Sequence, residues 1–133
     1  MSKTVAEKLL IRPGTTVWSS HADRVPLLGA LPDGVRLVDE IAGATTAVMF
    51  VDDAASAHAM VEAHERDLAR PNALWVAYPK GNRADINRDS LWPILADRGF
   101  RPITQISIDD TWSALRFRPL QEGEERFAGG RSG

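Results

Sequence analysis

Four short polar stretches of the chain hold side chains suited to acid–base or electrostatic chemistry. They are Ser20-His21 with Asp23, Asp52-Asp53, Lys80 with Arg83, and Asp109-Asp110 followed by Trp112 and Ser113. His21 is the best lone acid–base candidate, histidine being the side chain suited to proton exchange at physiological pH, although a single His in a polar loop is more often only solvated. Asp52 and Asp53 read as a base or metal ligand, or more commonly as a helix cap. Lys80 reads as an anion partner or as one half of an ion pair with Asp53 or Asp110. Asp110 reads most simply as the cap of a turn, with Trp112 covering the end of the core and Ser113 joining the cap. Ser113 is a nucleophile only if a base reaches it. His21 is that base only if the two strand ends lie together. No Gly-x-Ser-x-Gly elbow surrounds any serine. His58 and His64 stand six apart on one predicted helix and face different ways, so they form no metal pair. No residue is assigned a catalytic or metal-binding role. Ser20, His21, Asp52, Asp53, Lys80, Asp110, Trp112 and Ser113 are candidate ligand contacts.

The elements that must position these groups follow from patterning. Thr4-Val5-Ala6-Glu7 is a capping box for a short helix that Pro13-Gly14 stops. Residues 15–19 read as a strand, and Asp23 caps a brief helix over 24–28. Leu31-Pro32-Asp33-Gly34 is a turn, with a strand expected over 35–39. Ala47 to Val51 is a fully apolar run. The helix after it, 54–69, carries Ala57, Met60, Val61, His64 and Leu68 on one stripe. A second fully apolar run spans 73–78. Asn87 caps a helix with Leu91, Ile94 and Leu95 inward and Gly99 as its stop; Pro93 within it is a local inconsistency. Residues 103–108 and 113–118 are strands joined by a tight turn.

Apolar runs 47–51 and 73–78 suit central strands covered on both faces, whereas the last two strands alternate and suit a half-solvated hairpin. The order strand, helix, strand, helix, strand, then hairpin implies an α/β fold: a doubly wound, mostly parallel sheet with a C-terminal antiparallel hairpin. Residues 1–120 form a single domain. Residues 121–133 hold four Gly, three Glu and one aromatic and are expected to be a disordered tail. Between Asp39 and Ala47 there are too few residues for a helical crossover. Either 35–39 is a short edge strand with a stretched return, or it lies outside the sheet. Ligands of open α/β sheets bind at the carboxyl ends of the parallel strands, and this topology gathers all the candidate contacts at that edge.

Three stretches carry a resemblance: Lys8-Leu9-Leu10-Ile11-Arg12-Pro13-Gly14, Leu74-Trp75-Val76-Ala77-Tyr78-Pro79-Lys80, and Asp110-Thr111-Trp112-Ser113-Ala114-Leu115-Arg116-Phe117. With the element order they resemble a group of short bacterial proteins whose fold is a shortened, Rossmann-like class I methyltransferase fold. The resemblance covers residues 5–118 and implies a fold in which the last strand inserts antiparallel, with no chemistry attached. Methyltransferases follow their first strand with an acidic residue and a Gly-x-Gly turn against which S-adenosylmethionine lies. Here that stretch is Ser19-Ser20-His21-Ala22-Asp23, with no glycine. Asp39 or Glu40 stands where an acid would hold a ribose. No bound cofactor is therefore expected.

Composition narrows the class. At 133 residues the chain can bury a real core, and with no cysteine it has no disulfide, thiolate metal site or thiol nucleophile. A net charge of −2 with scattered basic residues gives no field for nucleic acid. No apolar run approaches a membrane span and no signal-peptide layout opens the sequence, so a cytoplasmic protein is expected. The favoured reading is a non-catalytic binding or interaction module, with a homodimer using Trp18 or Trp92 among its expected partners. The alternative is a small enzyme or binder of an anionic metabolite at the carboxyl-end edge.

Overall fold

A computed structural model describes residues 4–81 and 85–120. The expected tail, 121–133, and Arg83 lie outside the described residues. Strands β1 (Thr16–Ser19), β2 (Arg36–Leu37), β3 (Thr46–Phe50), β4 (Ala73–Pro79), β5 (Phe100–Ser107) and β6 (Trp112–Pro119) form one sheet in the order β2-β1-β3-β4-β6-β5. The first four are mutually parallel; β6 is antiparallel to both β4 and β5. The final strand thus inserts antiparallel between β4 and β5, as the resemblance implies.

Every residue of β3, and of β4 up to Tyr78, is buried, so both sheet faces must be covered. Helices α2 (Ala54–Ala63) and α3 (Arg88–Ala96) cover one face, setting Ala57, Val61, Leu91 and Leu95 against Met49, Val76 and Leu115. The other face has thinner cover: the four-residue helix α1 (Val5–Lys8) and a 3₁₀ segment, Ala22–Leu28, which set Ala6, Leu9 and Leu28 on Val48, Phe50 and Trp75. A helix of one turn has no stability of its own. Two devices hold it. Thr4 and Glu7 form the expected capping box. The buried Trp75 indole N–H donates to the Leu9 carbonyl at 2.9 Å, fastening the helix end to the middle of the sheet.

Several boundaries differ from expectation. The brief helix after β1 is 3₁₀, and its N-cap is His21, with no side-chain cap bond; Asp23 lies inside the segment. Strand β2 is reduced to Arg36–Leu37 at the sheet edge, so the short-edge-strand alternative holds. The chain needs no helix to return from it. It passes over β1 to β3, about 10 Å across, through the 3₁₀ turn Ile41–Gly43. Helix α2 ends at Ala63, six residues early. Beyond it, the Asp67 and Arg70 N–H groups bond to carbonyls three residues back, tight turns that still bury Leu68. Strand β5 begins at Phe100, directly after Gly99 at φ 84°. Pro93 sits in the interior of α3 without ending it. Trp18 is buried, and of the exposed large apolar side chains Leu10, Leu37 and Ile103 the last two lie on opposite sheet edges. Among the described residues no helix is long and apolar enough to cross a membrane.

Leu10 is the only described non-glycine residue with positive φ, at 67°. It follows the C-cap Leu9: its N–H bonds to the Glu7 carbonyl and the Ile11 N–H to that of Ala6, the double closure that usually takes glycine. The left-handed region costs a branched side chain about 1–2 kcal/mol, against up to about 1 kcal/mol of extra chain entropy that glycine would lose on folding. Leu10→Gly is therefore expected to stabilise the domain by about 0.5–1 kcal/mol, read as a higher urea midpoint with unchanged m-value.

Candidate functional site

At the carboxyl end of the sheet, β1 continues into Ser19-Ser20-His21. The Ser20 N–H donates to the Val48 carbonyl at 3.0 Å, and Ser20 Oγ accepts the Phe50 N–H at 2.8 Å, so this loop is sewn to β3. Ser20 Oγ also lies 2.8 Å from His21 Nδ1. The His21 ring meets Phe50 edge-on at 6.3 Å, and Phe50 in turn meets Trp112 at 5.3 Å. The Arg24 guanidinium carbon lies 5.1 Å from the Trp112 ring centre and 5.7 Å from that of Phe50, and Arg24 pairs with Asp52 at 3.0 Å. Cation and rings together close the sheet end over β3 and β6.

Asp53 and Lys80 are engaged in the fold's own joints. Asp53 accepts the Ser56 N–H at 2.7 Å and caps α2, with Ser56 Oγ returning to the Asp53 N–H. Asp85 supports the same helix start by accepting the Ala54 N–H at 2.7 Å. Lys80 Nζ reaches Ser107 Oγ at 2.5 Å; among the described residues neither Asp53 nor Asp110 pairs with it. The turn cap is Asp109, which accepts the Thr111 and Trp112 N–H groups at 2.8 Å each, while Asp110 stays exposed. Capping reaches two and three residues onward, so the spacing from Asp109 to Thr111 and Trp112 was the available signal. Trp112 does cover the core end. Ser113 is buried in β6 opposite Tyr78 and takes no part in that cap. His21 lies beyond β1 and Ser113 on β6, three strand spacings or roughly 14 Å apart, so the two do not form a nucleophile–base pair. Arg24 and Phe50 carry no one-dimensional signal of this role; only the folded ring stack places them together.

Space for a ligand lies beside this plugged edge. A cleft of about 480 Å³ runs along β1 and β2, with Trp18 in its floor and Ser20, Val25, Leu37, Asp39 and His64 around it. It exists because the β2–β3 link carries only a 3₁₀ turn where a helix would otherwise pack. His64, at the C-cap of α2, meets Trp18 edge-on at 4.9 Å. Asp39 follows β2 and is exposed. This is the end of the sheet nearest β1 and β3, where the crossover direction reverses and α/β sheets open their ligand crevice.

No family model matches the chain, and no curated protein matches it. Solved structures do match. One is a putative tRNA (m1A22) methyltransferase from Streptococcus pneumoniae, at TM-score 0.56 and 12% identity, over 91% of this chain and 70% of that one. The fold is Rossmann-like and methyltransferase-like. The same enzyme in complex with S-adenosyl-L-methionine matches at TM-score 0.53 and 13% identity, over 91% and 72%. A Streptococcus agalactiae protein of the NADB-Rossmann superfamily matches at 0.56 and 12%, over 95% and 72%. At such identity the likeness is one of fold.

The residues present fit only half of S-adenosylmethionine. Asp39 and the aromatic floor suit a ribose and a base. The amino-acid half needs the close backbone approach that glycine permits, yet Ser19 to Asp23 all carry Cβ and none has positive φ. Ser20 is, moreover, tied into β3. No methyl-transfer step is derived from this site.

The edge also holds the chain's single tyrosine. Burial pushes the Tyr78 hydroxyl above the ordinary tyrosine range, outweighing the Arg88 guanidinium and the nearby Ser113 hydroxyl. A raised folded value means the native state holds this proton more tightly. The contribution is intact below about pH 10, the unfolded value, and declines as pH rises through the folded one. Alkaline titration of tyrosinate absorbance is expected to run above the free-tyrosine curve, and Tyr78→Phe to flatten the loss of stability above about pH 10. Asp53→Ala is expected to cost about 1 kcal/mol in urea unfolding, while Asp110→Ala, which caps nothing, leaves the midpoint unchanged.

Proposed function

We propose that this chain is a non-catalytic binding module that takes a nucleoside-type ligand, a sugar with an attached planar base, into the Trp18–Asp39–His64 cleft. The observation that carries this reading is the contrast between the two halves of the carboxyl end. Over β3 and β6 the charged groups, the exposed Asp110 excepted, are engaged in structure: Asp52 with Arg24, Asp53 with α2, Lys80 with Ser107, Asp109 with the turn. Along β1 and β2 an open cleft retains a carboxylate for sugar hydroxyls and an aromatic floor for a base. Catalysis would need a nucleophile and base held together and free to react: Ser113 and His21 stand apart, and Ser20 Oγ, 2.8 Å from His21 Nδ1, is tied to the Phe50 N–H. An anionic ligand at the plugged edge is the weaker reading, because four carboxylates crowd it against Arg24 and Lys80.

The test is a thermal-shift and calorimetric panel of adenosine, S-adenosylhomocysteine, S-adenosylmethionine and ribose. Adenosine is expected to bind, with S-adenosylhomocysteine gaining little over it because the amino-acid half lacks its turn. Asp39→Asn is expected to weaken adenosine about tenfold, the loss of one charge-assisted hydrogen bond. Silence across the panel, or methyl transfer to any acceptor, would sink the proposal.

A further inference from the structure

The opposite end of the sheet carries a second polar cleft that the fold's usual ligand edge does not account for. It has a volume of about 260 Å³ and lies at the amino ends of β3 and β4, lined by Leu10, Arg12, Thr15, Thr46, Asn72 and Arg116 among others, with no carboxylate among its lining residues. The four parallel strands start here, and β6 runs back toward the same end, bringing Arg116 beside Trp75 in the register. At this end of the strands the loop that follows α1 supplies Leu10 and Arg12 to the cleft.

Two polar atoms here lack the partners that burial demands. Thr46 is 1% exposed and its hydroxyl has no hydrogen-bond partner. Arg116 donates through Nη2 to the Asn72 carbonyl at 3.2 Å, yet its buried Nε also has none. A buried donor left unmade costs about 1–3 kcal/mol, more for a charged group. Arg12, exposed at the rim, makes no ion pair among the described residues. Thr15, by contrast, is satisfied, its hydroxyl donating to the Arg12 carbonyl at 2.7 Å.

We infer that this cleft binds a phosphate group, as the free ion or as the monoester of a small metabolite. Guanidinium groups only donate, so their complement is an acceptor-rich anion. A phosphate offers separate oxygens to Arg116 Nε, the Thr46 hydroxyl and the Arg12 guanidinium. The cleft is concave and small, which suits one phosphate with a short carbon skeleton and excludes a polyanion lying along a surface. It shares no lining residue with the nucleoside cleft, and it stands whether or not that reading holds.

The experiment uses the full chain, with calorimetric and thermal-shift titrations of inorganic phosphate and of glycerol 3-phosphate at constant ionic strength, chloride serving as the matched control. Phosphate is expected to stabilise the protein beyond chloride. Tighter binding of the ester identifies a metabolite site, and equal binding identifies a site for the free ion. Thr46→Val removes the orphaned hydroxyl at nearly constant volume. It is expected to raise the melting temperature of the phosphate-free protein while weakening phosphate about tenfold. Arg12→Gln, at the exposed rim, is expected to weaken phosphate without altering the melting temperature. The inference is overturned if phosphate acts no differently from chloride, if both variants keep the full response, or if single-stranded RNA binds while inorganic phosphate does not.

Discussion

Burial of two adjacent strands on both faces is the constraint from which the remaining structure follows. Strands β3 and β4 present no residue to water before Pro79, so each sheet face needs apolar cover. Two regular helices supply it on one face. On the other, the chain provides a single helical turn and a 3₁₀ segment, and it compensates with side chains. Trp75 fills the middle of that face and fastens α1 through the Leu9 carbonyl. Leu10 takes a left-handed backbone so that the chain can double back across the same face. A short chain can thus complete a doubly wound sheet, at the expense of thin and strained cover.

Thin cover also shapes the places where a ligand fits. With no helix between β2 and β3, a groove stays open along β1 with Trp18 in its floor. Beside the loop following α1, the amino ends of β3 and β4 stay accessible and the Thr46 hydroxyl and Arg116 Nε stay unpartnered. The end of the sheet over β3 and β6 is, in contrast, closed by Phe50, Trp112 and Arg24 in contact. The inserted strand β6 delivers Trp112 to that position. The element that makes the topology methyltransferase-like is therefore also the one that plugs the middle of the carboxyl edge.

Charge follows the same division. Asp52, Asp53 and Asp109 each sit two or three residues beyond a strand, where unpaired backbone N–H groups begin, and two of the three are used as caps. Carboxylates placed there satisfy the chain before they meet a ligand. Asp39 follows a strand of two residues, and the 3₁₀ turn after it starts from Glu40 with no side-chain cap bond. That difference in local backbone demand separates a structural acid from one open to a ligand.

The fold class, the two-faced central strands, the helix starts at Thr4 and Asn87, a cap within Asp52-Asp53 and the antiparallel ending were legible along the chain, because each rests on local patterning of apolar, capping and turn residues. The sequence also showed that the glycine turn is missing. Tertiary structure alone decided which carboxylate of Asp109-Asp110 caps the turn, that Lys80 meets Ser107, and that Arg24 lies on Phe50 and Trp112. It likewise kept Ser113 away from His21 and set Arg12, Thr46 and Arg116 around one cleft. These outcomes depend on contacts between residues tens of positions apart, and spacing along a chain carries no record of which strands become neighbours. Ser20, His21, Asp52, Asp53, Lys80, Asp109 and Asp110 all follow strands at one end of the sheet, but folding engages most of them in holding that end together.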